Sequence, residues 1–67
     1  MITLTVNGQS RQIDPATTLH ELIVSLTDST NGIAVAINAS VIARSAWNIT
    51  EFAENDVVEI LTAAAGG

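Results

Sequence analysis

Cysteine is missing from this chain, which excludes a disulfide framework, a thiolate metal ligand and a redox dithiol, and leaves the compartment unreadable from thiol chemistry. Basic residues are nearly missing too. Arg11 and Arg44 face seven acidic side chains, and the formal net charge of -5 has the wrong sign for neutralising phosphates, so nucleic acid is not an expected partner. There is no lysine at all. No basic stretch leads into a long apolar run, so neither a secretion signal nor a membrane span is expected, and the expected compartment is the cytoplasm. With one histidine, His20, an ordinary zinc site has too few ligands. At 67 residues the chain is one small domain, too short for a deep catalytic cleft between two layers.

The residues that are present alternate or recur with clear periods. Hydrophobic residues make up 48% of the chain, enough for a core. In "ITLTV", Ile2, Leu4 and Val6 alternate with Thr3 and Thr5, the period of a strand with one buried face. Asn7-Gly8 supplies a type I′ hairpin turn, because both residues accept positive φ. The return strand, about Gln9 to Ile13, is polar and suits a sheet edge. After Asp14-Pro15, Thr18 and Glu21 form a capping box, and Leu19, Leu22, Ile23 and Leu26 follow at helical spacing, which aims one stripe at a core. The helix should end in "TDSTNG", where Gly32 can take the left-handed conformation. A β-rich run through Ile37 then meets an Asn38-Ala39 turn and a short strand around Val41 and Ile42. In the final strand, "NDVVEILT", Val58 and Ile60 face one side while Val57, Glu59 and Leu61 face the other.

Two hairpins, a helix between them and a closing strand predict an α+β arrangement with the helix on one face of a mixed four- to five-stranded sheet. A crossover from the helix places the last strand beside the first and parallel to it. This is the β-grasp, or ubiquitin-like, plan, over residues 1–62, with a flexible tail over 63–67.

Enzymatic constellations are weak. A Ser/His/Asp triad needs a cleft, and His20 sits in a first helical turn, where the dipole disfavours added positive charge. We expect it to face solvent and assign it no role. Glu51, Glu54, Asp56 and Glu59 could be imagined as a metal site or an acid/base pair, but such a pair needs an enclosed site, and a solvated rim explains them better. No glycine-rich loop follows a strand and opens a helix, so no phosphate cradle is expected.

The end, "TAAAGG", is the unusual stretch. Alanine and glycine tails also arise without purpose. Here the tail directly follows the last strand. A terminal carboxylate is ionised at pH 7 and is a poor electrophile until a partner activates it. Gly67 has no β-carbon to hinder attack, and Gly66 lets backbone pass through a narrow channel. Ordering such a tail costs about 1–2 kcal/mol per residue for few contacts, so its binding should be transient.

"VNG", "TLHEL" at Thr18–Leu22, "VAINASVIARSAW" at Val35–Trp47, "NDVVEILTA" at Asn55–Ala63 and the terminal "GG" together resemble the sulfur carrier proteins of thiamin (thiazole) biosynthesis, over the whole chain. Members of that family often carry proline where Ala43 stands and glycine where Asn55 stands, so turn geometry there is open. The resemblance implies a carrier, not an enzyme. An E1-like adenylyltransferase would use Mg-ATP to convert the Gly67 carboxylate to an acyl-adenylate, and a persulfide-bearing sulfur donor protein would make it a thiocarboxylate. Thiazole synthase would then take the sulfur. The chain itself would bind no cofactor or metal, no nucleic acid and no membrane, and would be a monomer when free.

On this reading Gly67 carries the sulfur, and Gly66, Ala65 and Ala64 thread partner active sites. Leu61 and Val57 form a strip that either docks partners or packs under a loop. Trp47 is expected as a satellite-core anchor, and Arg44 as either a surface ion pair or a tail-positioning group. Two alternatives remain: the small subunit of molybdopterin synthase, also a β-grasp chain with a Gly-Gly end, and a ubiquitin-like modifier joined to target lysines.

Overall fold

The computed structural model describes residues 1–27 and 31–62. The tail expected at 63–67 therefore lies outside the described residues. Strand β1 spans Ile2–Val6 and β2 spans Gln9–Ile13, followed by helix α1 at Leu19–Leu26. Strands β3 (Ile33–Ile37) and β4 (Ser40–Val41) come next, then a short 3-10 turn at Arg44–Ala46 and strand β5 at Val57–Thr62. The five strands lie in the order β2-β1-β5-β3-β4, so the polar return strand does sit at an edge. As the sequence predicts, β5 runs parallel to β1, with Thr5 opposite Val57 and Val6 opposite Val58. It runs antiparallel to β3 from Ile33 opposite Thr62 to Ile37 opposite Val58. Among the described residues no helix is long and apolar enough to cross a membrane.

Local chemistry explains the boundaries. Asn7 and Gly8 hold φ of 49° and 83°, the paired positive values that a type I′ turn needs. At the helix start the Thr18 hydroxyl accepts from the Glu21 amide at 3.2 Å, and the Glu21 carboxylate accepts from the Thr18 amide at 2.9 Å. The other early donors are met from the loop before β5: the Leu19 amide donates to the Thr50 carbonyl at 2.8 Å and the His20 amide to the Trp47 carbonyl at 3.1 Å. These partners leave this helix start little capacity to hold an anion.

One face of the sheet packs on α1. Leu4, Val6, Leu19, Leu22, Ile23, Val35, Trp47, Phe52 and Val58 form the core. Each fully buried aliphatic side chain contributes about 1.5–3 kcal/mol, a large share of what a domain this small can hold. Leu26, the last residue of the predicted stripe, lies at the margin, 36% exposed. Trp47 belongs to the main core, not to a satellite: it is 2% exposed, and its indole N–H donates to the Ile42 carbonyl at 3.2 Å. His20 is half-buried instead of facing solvent, because the Trp47–Thr50 segment closes over the first helical turn.

Strand β4 ends at Val41, one residue short of the expected strand, although the Ile42 amide still donates to the Val35 carbonyl at 2.9 Å. Both positions where the chain departs from the usual residues of the family it resembles keep compatible backbone. Ala43 has φ of -62°, the value a proline ring imposes. Asn55 has φ of 70°, the left-handed region that glycine and asparagine share.

Ala39 also lies in that region, at φ 71°, without a polar side chain to favour it. Ala39→Gly relieves about 1–2 kcal/mol of left-handed strain against about 0.5–1 kcal/mol of added chain entropy. The variant is therefore expected to melt a few degrees higher. Thermal denaturation followed by circular dichroism checks this; a lower midpoint would contradict the strain.

Candidate functional site

Strand β5 leads straight into the tail, so whatever fixes β5 fixes where the tail begins. Its alternation is as the sequence predicts. Val58 is fully buried and Ile60 half-buried against the core, while Val57, Glu59 and Leu61 are exposed on the opposite face. Leu61 is 64% exposed and Val57 46% exposed, so neither packs under a loop among the described residues. Ala64, Ala65, Gly66 and Gly67 lie outside the described residues.

Two asparagines, one in each hairpin turn, grip β5 from its two sides. The Asn7 side chain accepts from the Ile60 amide at 2.8 Å and donates to the Ile60 carbonyl at 3.2 Å. A primary amide offers a donor and an acceptor side by side, as a peptide group does, so Asn7 extends the ladder after β1 has turned away. On the other side Asn38 accepts from the Val57 amide at 2.9 Å through its side chain, and its own backbone amide donates to the Val57 carbonyl at 2.7 Å. Its side-chain nitrogen donates to Asp56 at 3.0 Å. The sequence marks both asparagines as turn formers only; the further signal was that each follows a strand destined to flank the last one.

Two of the four carboxylates weighed as a metal or acid/base site, Glu54 and Asp56, serve the backbone instead. Asp56 accepts from the Ala53 amide at 2.8 Å, and Glu54 from the Thr3 amide at 3.0 Å. Among the described residues no group of three metal-ligating side chains comes together. A groove of about 340 Å³ lies between the end of α1 and the end of β5, bordered by Leu26, Ile60 and Thr62. Among the described residues its charged lining residue is Arg11, and none of the others lining it is an acid that could complete a proton-transfer pair. The Arg44 guanidinium lies 5.5 Å from the centre of the Trp47 ring, a cation–π contact.

A helix clasped by a five-stranded mixed sheet, with the last strand central, defines a β-grasp protein. The ThiS family model matches residues 4–67, and the chain belongs to the ThiS family. That family comprises small sulfur carriers of thiamin biosynthesis, not catalysts. Among solved structures, the crystal structure of the thiamine biosynthesis protein ThiS from Geobacter metallireducens is 31% identical, with a TM-score of 0.78 over 91% of this chain and 93% of that one. A solution NMR structure of a thiamine biosynthesis protein from Geobacter metallireducens is 32% identical, with a TM-score of 0.71 over 90% of this chain and 81% of that one. No curated protein matches the chain.

Asn7→Gly keeps the left-handed turn while deleting both side-chain bonds to Ile60. It is expected to cost about 1–3 kcal/mol and to speed hydrogen exchange at the Ile60 amide. Unchanged exchange at that amide would show that the asparagine does not hold β5.

Proposed function

We propose that this chain carries sulfur on the carboxyl group of Gly67. An E1-like adenylyltransferase uses Mg-ATP to form the Gly67 acyl-adenylate, releasing pyrophosphate. A persulfide-bearing donor protein displaces AMP, and reductive cleavage of the resulting sulfur–sulfur bond by a thiol leaves the thiocarboxylate. Thiazole synthase accepts the sulfur, in the cytoplasm, and the carboxylate returns. Gly66, Ala65 and Ala64 pass through the partners' active-site channels, and Leu61 and Val57 dock on the partners' surfaces.

The observation that carries this reading is the family match running through both terminal glycines, beyond a strand that two asparagines hold, Asn38 at its first residue Val57 and Asn7 at Ile60. The physical division of labour supports it. The described residues bring no three metal-ligating side chains together, while they display an exposed apolar strip on β5, the strand that precedes the tail. A chain without cysteine also has no thiol on which sulfur could reside.

Intact-mass measurement after incubation with the adenylyltransferase, Mg-ATP and the persulfide donor tests it. The full chain is expected to gain the mass difference of one oxygen replaced by sulfur, and a variant lacking Gly67 is expected to gain nothing. Ladders of conjugates to target lysines would instead make the chain a protein modifier. An inseparable complex with a molybdopterin-forming large subunit would make it that enzyme's small subunit.

A further inference from the structure

Directly paired residues share a face of a sheet. The pairings Thr5 with Val57, Ala34 with Leu61, Ala36 with Glu59 and Ala36 with Val41 therefore place all of these side chains on the face away from α1. Val41 is 77% exposed there, across β3 from the exposed Leu61 and Val57. The two alanines make a low floor between β5 and β4, so the apolar strip is wider than β5 alone. Glu59 stands within it, exposed, with Val57 and Leu61 two positions to either side and Ala36 across. The hydrogen bonds among the described residues engage the carboxylates of Asp14, Glu21, Glu54 and Asp56, but not those of Glu51 and Glu59, and of these two only Glu59 lies in the strip.

We propose that this face docks a partner whose contact surface is apolar except for one arginine or lysine placed to meet Glu59, and that this charge pair selects the partner. Covering the strip takes the Glu59 carboxylate out of water. An apolar surface without a cation leaves that charge buried and unpaired, and is rejected for it; a surface with the cation in register is accepted. The net charge of -5 adds a long-range pull toward a basic patch and speeds the encounter. The partner is the activating adenylyltransferase, so the inference rests on the proposed function and adds its specificity element.

The experiment measures adenylyltransferase-dependent ATP–pyrophosphate exchange against the concentration of the full-length chain, for wild type, Glu59→Gln, Glu59→Leu and Glu59→Lys. Melting curves matching wild type confirm that each variant is folded. Expected is a rise in KM for the chain of about 30-fold or more for Gln and Leu, the size that follows from stranding one member of a covered charge pair. The Lys variant rises further, and kcat at saturation is unchanged. Glu59→Leu is the decisive arm, since it enlarges the apolar strip: a KM equal to or below that of wild type would overturn the pairing. Exchange by wild type together with that result removes the charge pair alone; absence of exchange by wild type removes the proposed function, and this inference with it.

Discussion

Strand β5, the last strand of the described residues, is the middle strand of the sheet, and the rest of the molecule is arranged around holding it. Strand β5 pairs with β1 on one side and β3 on the other. Neither flanking strand covers its whole length alone. Strand β1 stops at Val6, and the Asn7 amide carries the pairing on to Ile60. Strand β3 stops at Ile37, and Asn38 carries it on to Val57. Each asparagine does two jobs with one residue: its backbone makes the left-handed turn, and its side chain stands in for the peptide group of a strand that has ended. Contacts this far apart in sequence close long loops, so they tie the completion of the fold to the docking of β5.

The core and the exposed strip are two readings of one alternation. Val58 is fully buried against the helix, while Val57, Glu59 and Leu61 face away. A slip of one residue in β5 would put Glu59 into the core and Val58 into water, and would break both asparagine clamps at once. Register is thus specified three times over: by hydrophobic pattern, by main-chain ladders and by two side-chain amides.

Much of this arrangement was legible in the sequence because it rests on local signals. The type I′ turn at Asn7-Gly8, the Thr18/Glu21 box and the alternation in "DVVEILT" each have a short-range cause, and each gave the right element with the right face outward. The connection from Ala43 to Asp56 has no such period. It is set by partners distant in sequence: the Thr50 and Trp47 carbonyls meet helix donors, Glu54 reaches Thr3, and Asp56 reaches Asn38. That is why the sequence does not foretell the 3-10 turn at Arg44–Ala46 and reads Trp47 as a satellite-core anchor. For the candidate site, the outward direction of Val57 and Leu61 followed from the alternation. The asparagine clamps did not, since an amide that pairs with a neighbouring strand looks in sequence like any turn residue.

A domain of this size has only a few kcal/mol of stability to lose, and a recognition surface that drew on its core residues would trade stability against every change of partner. The period of two avoids the conflict. Substitutions at Val57, Glu59 and Leu61 touch solvent, and their neighbours Val58 and Ile60 keep the fold, so the outer face is free to be shaped by what must dock on it. The same separation explains why an acidic side chain is tolerated amid apolar neighbours. In the free protein Glu59 is hydrated and costs nothing, and only a covering surface makes its charge matter. On the proposed function, a scaffold bound, charged and released by unlike partners gains from a contact whose strength depends on the partner supplying the matching group, because apolar area alone would hold all of them alike.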